Sequence, residues 1–442
     1  MIYIYNAIII GLTFALIKKK GVLLSPSCIF YWISFFNYIA LQMVFSGITI
    51  SPKILYKLTG TYYSAMPVNF SQASFNAAIL QYFILLIFGC VLTIYYSKKQ
   101  EKQFELNFSP LKQITKNPLM ITIALIIMNM IYIIHFFSID LNLLWQNHSY
   151  LLLETPSRIG INNGILKIIH FSLRIVGLFT AGLTMHFFFN RSYMNLFLSS
   201  LIFMYALIFM LAQNSRWASL YFFMMLLYCQ ITKHWNWKGK TILALMCLLT
   251  FIKVIEGRGE YDQGIVAIWS GYSNIRLDVL YYYLLGFLLN ILEGATSFAN
   301  AEQIAPVYAL HYKVLAFSPF PSFIDGFSSI LKLHEVRINH AVPFSAISEV
   351  RWFGGIFFIL FYTTIGMLLK YANQAYYHSK GIIPFFLSGF IFWITFTINS
   401  YPVRNTYRSI LIMLFLLFIL QRIKTSREKN LQENRLIEEK LK

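Results

Sequence analysis

Charge is scarce in this sequence: charged side chains make up 12% of its 442 residues, against roughly 25% in soluble globular domains. Negative charge is scarcer still, with 17 Asp and Glu against 36 Lys and Arg, for a net charge of +19. The shortage of charge excludes soluble, fibrous and disordered classes. Cysteine occurs four times, as Cys28, Cys90, Cys229 and Cys247, always inside apolar stretches and never with C-x-x-C spacing. That pattern encodes neither a disulfide framework nor a zinc site, and the four read as small packing residues. A D-x-D pair is missing, as are the G-x-S-x-G, H-E-x-x-H, Walker and Rossmann patterns. Nucleotide binding and ATP hydrolysis therefore have no support, and no metal or cofactor is expected.

What is abundant is apolar and aromatic surface. Hydrophobic residues make up 58% of the chain, and 42 Phe, 29 Tyr and 8 Trp bring the aromatic share to 18%. These values describe an all-α polytopic integral membrane protein, with aromatics at lipid-facing and interfacial positions. The basic excess must then be sorted by membrane side before any partner is inferred, so the expected partner is the lipid bilayer and not nucleic acid.

A span needs about 20 mostly apolar residues. About eleven segments qualify, within a range of 10 to 13: 2–17, 27–47, 75–96, 119–137, 164–189, 195–213, 217–232, 241–255, 347–369, 382–400 and 406–421. The first is preceded by no charged n-region and followed by Lys18, Lys19 and Lys20 in place of a small-residue cleavage site, so it is expected to be a retained helix and not a signal peptide. Alternate loops carry most of the cations, among them these three lysines, the lysines between 97 and 118, Arg191 and the tail 422–442. Those loops are expected in the cytoplasm, which places the N-terminus outside and the C-terminus inside. The chain accordingly divides into an N-terminal transmembrane bundle (1–255), one long outward loop (256–346), C-terminal transmembrane helices (347–421) and a charged cytoplasmic tail (422–442). Within the long loop, the apolar stretch 279–292 is too short for an ordinary span and reads as an interfacial or re-entrant helix.

Because cytoplasmic connections are short and one outward loop is long, function is expected on the outer face. Several polar residues gather there. Arg216, in AQNSRW, sits in a tight turn between two apolar runs; it reads either as a snorkelling arginine or as a guanidinium aimed at phosphate. Arg258 lies between Gly257 and Gly259 where the long loop begins, in a motif that also holds Glu256, Glu260 and Asp262. Arg276 precedes the interfacial stretch and has Asp278 for a neighbour. At the other end of the loop, FSPFPSFIDGF (317–327) precedes HEVRINHAVPFSAISEVRWFGG (334–355), which groups Arg337, His340 and Glu349: one cation, one base and one carboxylate. Glu349 and Arg351, at i and i+2, do not share a helix face and must serve different partners. Arg404 and Arg408 flank the last outward loop, either as lipid anchors or as part of a cationic cup with Arg216, Arg258 and Arg337. Lys167 and Arg174 share a helix face, and a buried Arg174 needs a partner.

The stretch NHAVPFSAISEVRWFGGIFFILFYTTIGMLL, with the NSRW turn and the SPFPSFIDGF segment, resembles the Wzy-type O-antigen or oligosaccharide repeat-unit polymerases and the related O-antigen ligases. The resemblance implies a metal-independent glycosyltransferase at the periplasmic face of a bacterial inner membrane, acting on undecaprenyl-diphosphate-linked oligosaccharide. His340 would be the base, Glu349 would orient it or act as base itself, and Arg216 would belong to the catalytic set. Arg258, Arg337, Arg404, Arg408 and Arg276 would bind diphosphate or substrate. A chain-length regulator and a flippase are the protein partners such a polymerase implies. The alternatives are an O-antigen ligase, which uses the same donor, and a flippase of lipid-linked oligosaccharide, which would need charges through a central cavity and two comparable halves.

Overall fold

The computed structural model describes residues 2–18, 24–45, 72–100, 118–149, 152–232, 235–259, 262–275, 294, 297–298, 301, 304–319, 335–336, 343–378 and 383–419. Arg276, Arg337, His340, the stretch 279–292 and the tail 422–442 lie outside the described residues, as does the side chain of Arg258. The described residues are mainly helical, with no strand and one isolated β-bridge between Asn147 and Gln263. Five helices are long and apolar enough to cross a bilayer: Phe75–Tyr96, Leu119–Phe137, Gly164–Phe189, Tyr193–Ala212 and Gly355–Tyr377. Tyr3–Ile17, Trp217–Ile231 and Pro384–Ser400 are apolar and shorter. This set fits a multi-pass membrane protein; the number eleven rests on the sequence.

The helices group into two compact units. The first comprises Met1–Thr49, Ala65–Asn107 and Ile291–Lys442. Its helices are α1 (Ile2–Ile17), α2 (Pro26–Phe45) and α3 (Gln72–Gln100) from the beginning of the chain, then α11 (Leu310–Ala316), α12 (Ala346–Phe353), α13 (Gly355–His378), α14 (Ile383–Ser400) and α15 (403–419). Helix α3 packs on α1, α2 and α13, and α14 packs on α2 and α13. Apolar side chains alone give little specificity inside lipid, so hydrogen bonds between helices set the register. Asn373 on α13 donates through Nδ2 to Ser27 Oγ (2.6 Å) and accepts from the Ser27 amide (3.2 Å). Tyr362 donates to Gln81 (2.8 Å) and Tyr82 to Asn399 (3.1 Å), joining α13 and α14 to α3.

The expected span 347–369 is corrected. Gly354 adopts φ +100°, a left-handed conformation that favours glycine, and divides that segment into the short helix α12 and the spanning helix α13. Glu349 therefore lies on a separate helix ahead of the span. Ser345 caps α12, its Oγ accepting from the Ser348 amide at 3.4 Å.

The second unit comprises Ile50–Ser64 and Phe108–Asn290. It contains α4 (Pro118–Phe137), α5 (Leu141–Trp145), α6 (Gly164–Phe189), α7 (Tyr193–Ala212), α8 (Trp217–Ile231), α9 (Trp237–Gly259) and α10 (Ile265–Ser273). Pro118 opens α4, where its missing N–H costs nothing, and Asn163 caps α6 by accepting from the Ile165 amide at 2.8 Å. Helix α6 packs against α4, α7 and α8, while α9 packs on α8 and α10. His135 on α4 bonds Tyr205 on α7 (2.7 Å) and His170 on α6 (3.3 Å), so two buried imidazoles hold three helices together. Arg174 meets Glu154 at 3.4 Å, the partner that its position in an apolar helix demanded.

The α6–α8 contact depends on Gly177, because a Cβ there would overlap the Tyr221 ring. Tyr221 is fully buried and donates to the Leu173 carbonyl at 3.0 Å, so the ring cannot step aside. Gly177→Ala is expected to destabilise the protein by about 1–3 kcal/mol, the usual cost of overpacking. Thermal unfolding in detergent micelles measures it, and an unchanged melting temperature would refute the contact.

Candidate functional site

The first unit carries Glu349 on α12, ahead of the spanning helix α13. Glu349 has no exposed surface, and each of its oxygens is engaged: Oε1 accepts from the Tyr312 hydroxyl at 2.8 Å and Oε2 from the Val403 amide at 2.7 Å. Val403 is the first residue of α15. A carboxylate carried on α12 thus satisfies one of the amides left over at the start of α15, where negative charge is favoured. Burial pushes the Glu349 carboxyl up to about 8, even though the bonds from Val403 and Tyr312 favour its charged form. It ionises close to neutral pH.

Three further bonds or stacks complete the cluster. Tyr308 stacks on Tyr312 with ring centroids 5.3 Å apart. Lys313 donates to the Phe353 carbonyl at the end of α12 (2.9 Å), and Arg404 Nη1 donates to the Leu315 carbonyl at the end of α11 (2.7 Å). Helix α11 is consequently pinned through Tyr312, Lys313 and Leu315 to both α12 and α15. Glu335 is close enough to act electrostatically on Glu349, Tyr308 and Tyr312. Burial beside Glu349 raises both tyrosines, so they remain hydroxyl donors.

Arg404 and Arg408 both sit on α15, one turn apart, so they share one face. Arg404 is buried, and Arg408 donates through Nη2 to Asn405 Oδ1 at 2.9 Å. Arg351 turns from Glu349 as the i, i+2 spacing requires: its guanidinium lies 5.7 Å from the Phe298 ring centroid and 5.6 Å from that of Trp352. His340 and Arg337 precede the first described residue of this stretch, Pro343, by three and six positions.

In the second unit, the NSRW turn is as tight as the sequence suggested. Asn214 has φ +48°, and Arg216 stands at the N-cap of α8, partly exposed. Around this turn lies a polar knot. Gln213 donates to the Leu153 carbonyl (3.0 Å), and Gln263 donates to the Gln213 carbonyl (3.2 Å). Asn147 and Gln263 exchange main-chain bonds of 3.0 and 2.7 Å. His148 Nδ1 meets Asp262 at 2.6 Å at the exposed edge. Lys253, fully buried, donates to the Leu211 carbonyl (2.6 Å) and to Asn214 Oδ1 (2.7 Å). Gly257, beside Arg258, packs directly on Asn214.

The structure therefore brings Glu349 together with Arg404 in one unit, and the backbone around Arg216 together with that around Arg258 in the other. It adds Tyr308, Tyr312, Glu335 and Lys253, which the sequence reading did not assign. Tyr308 and Tyr312 had a signal in their i, i+4 spacing; Lys253 stood out only as a cation inside an apolar run. Among the described residues, no three His, Cys, Asp or Glu side chains cluster as metal ligands would. Comparison with known protein families, curated proteins and solved structures finds no match to this chain.

Proposed function

We propose that this protein is a glycosyltransferase that polymerises undecaprenyl-diphosphate-linked oligosaccharide repeat units into O-antigen or capsular polysaccharide, at the periplasmic face of a bacterial inner membrane. In this reading its N-terminus is periplasmic and its C-terminus cytoplasmic. The observation that carries the proposal is the Glu349 cluster: a buried carboxyl ionising near pH 8, bonded to the start of a helix that carries two arginines. Groups whose pKa lies near the working pH are suited to proton transfer and to holding a neighbour that performs it.

The chemistry moves a glycan from its diphosphate carrier to a hydroxyl on the non-reducing-end sugar of another lipid-linked unit. A bond forms between that oxygen and the anomeric carbon as the carbon–oxygen bond to the diphosphate breaks. His340 takes the hydroxyl proton, since an imidazole titrates near neutral pH. Glu349, with both oxygens engaged, ties α12 to α11 and α15, nine positions along the chain from His340. Arg337, Arg404 and Arg408 supply charge to a leaving diphosphate through bonds that strengthen as negative charge develops. Arg216, Arg258 and Arg276 are the cationic set of the second unit, and the reaction has two diphosphate-linked substrates. A chain-length regulator and a flippase are the protein partners of this reading.

One observation favours a second reading, a flippase of lipid-linked oligosaccharide: the helices form two compact units, each with its own buried polar groups. Deleting the gene in the source organism separates the readings. Surface glycans capped with a single repeat unit, restored to a ladder by the wild-type gene, are the expected result. Repeat units trapped on the cytoplasmic leaflet would establish the flippase, and long polymer left on its lipid carrier would establish a ligase.

A further inference from the structure

We propose that His148 is a general acid that protonates the departing diphosphate, and that Asp262 is its positioning residue. The inference rests on the transferase reading given above and adds a second proton-transfer group to it. His148 Nδ1 lies 2.6 Å from Asp262 Oδ1. An ionised carboxylate only accepts, so Nδ1 carries the hydrogen of that bond and Nε2 is left for exchange with a ligand. Nε2 meets the side-chain amide of Gln146 at 3.4 Å, a long contact at the surface. The His148 side chain keeps 72% of its surface open. Gln146 suits both charge states of the ring: its nitrogen donates to a neutral Nε2 and, with the amide turned over, its oxygen accepts from a charged one.

The main chain sets this pair in place. Asn147 and Gln263 exchange antiparallel bonds of 3.0 and 2.7 Å. In that register the residue after Asn147, which is His148, stands opposite the residue before Gln263, which is Asp262. Buried amides hold the bridge from behind: Gln263, fully buried, accepts from the Leu153 amide at 3.4 Å and donates to the Gln213 carbonyl at 3.2 Å. Asn147 Oδ1 accepts from the Ser149 amide at 2.8 Å. Gly264 then turns the chain with φ +98°, where a Cβ would fall 2.7 Å from the Trp145 carbonyl oxygen. The Asp262 carbonyl accepts from the Asn214 side chain, two positions before Arg216, so the dyad and the NSRW turn form one assembly. Lys253, behind this turn, is buried and bonded to the Leu211 carbonyl and Asn214, whereas His148 is open to a ligand.

When the bond between the anomeric carbon and the diphosphate oxygen breaks, its electron pair stays on that oxygen. The Nε2–H of the charged His148 ring gives the oxygen a proton, and Asp262 steadies the charged ring beforehand. A terminal phosphate takes up its second proton at about pH 6, within the range that imidazoles serve. Water at the outer face returns a proton to the neutral ring, and the acceptor hydroxyl's own proton leaves by the base named above.

The test follows the joining of the organism's own purified lipid-linked repeat units by the full-length protein in nanodiscs, across a range of pH. His148→Ala is expected to lower kcat about 10²-fold or more with KM little changed, and to remove the decline of kcat toward alkaline pH that loss of an acid's proton produces. Added imidazole is expected to restore part of the rate, which it would not do for a side chain that only supports the fold. Asp262→Asn is expected to lower kcat about tenfold or more. The double variant should be no slower than His148→Ala alone, because Asp262 acts through the ring. His148→Gln serves for the kcat and pH measurements if His148→Ala does not fold. Wild-type kcat in the His148 variants, or a loss confined to KM, would overturn the inference while leaving the transferase reading intact. Additive losses in the double variant would overturn the role of Asp262. No joining of repeat units by the wild-type protein would overturn the transferase reading and the inference with it.

Discussion

Alanine in place of His340 is expected to abolish chain extension, leaving surface glycans capped with a single repeat unit while the protein still reaches the membrane. Removing a general base costs about 10²–10⁴ in rate, which empties a ladder built by repeated transfers, since each added unit repeats the loss. Arg216→Ala is expected to give the same phenotype, because losing a charge-assisted bond to one of the two diphosphate-linked substrates lowers each transfer about 10–10²-fold. Arg276→Ala should shorten the ladder less, as Asp278 stands two residues away to share its charge. Gel separation of surface glycans, with immunoblotting of the membrane fraction, reads both quantities. Ladders of normal length from His340→Ala and Arg216→Ala together would sink the site assignment.

The second large effect concerns Glu349. Its folded-state pKa of about 8 lies above the ordinary value of 4.5, so between those pH values the folded chain keeps a proton that the unfolded chain has released. Stability must therefore fall as pH rises through that window and level off above it, at about 1.4 kcal/mol for each unit by which the two pKa values differ. Glu349→Gln carries no ionisable group and is expected to melt with a flat profile across the same range. Its amide oxygen still accepts one of the two bonds, from Tyr312 or Val403. Glu349→Ala leaves both donors unsatisfied and is expected to lose about 1–3 kcal/mol for each. Melting temperatures of the three proteins in detergent from pH 5 to pH 9, a range of roughly four units around the window, decide the matter. A wild-type profile parallel to that of Glu349→Gln would show that Glu349 does not hold the proton.

Composition and hydropathy were enough to identify apolar helices, because a chain that must satisfy every backbone group inside lipid has few other choices. The segments read at 164–189 and 195–213 coincide with α6 and α7 to within two residues at each end. The NSRW turn was legible for a similar local reason: two apolar runs separated by four polar or interfacial residues have to reverse direction. The division of 347–369 at Gly354 was less legible, since Phe353, Gly354, Gly355 and Ile356 form a continuous apolar string whose break depends on one backbone angle.

Site residues followed the same rule. Glu349 stood out as the carboxylate grouped with Arg337 and His340, and Arg174 as a cation in need of a partner; the second expectation comes from the cost of burying charge. Which group answers them is a matter of distance along the chain. Glu349 is met by Val403, 54 positions away, and by Tyr312, 37 positions away. Asn373 meets Ser27 across 346 positions and Tyr82 meets Asn399 across 317.

Single residues and their near neighbours thus established the helical membrane class, the punctuation of the segments and the side chains too polar for their surroundings. Those properties follow from transfer free energies and backbone geometry, which act within a few residues. The grouping of α1, α2 and α3 with the last helices of the chain, the seat of Glu349 at the start of α15 and the grip of Lys253 on Asn214 emerged only on folding. Their partners are recruited by hydrogen bonding and close packing between faces that several apolar helices present alike, so their pairing leaves no periodic trace in the sequence.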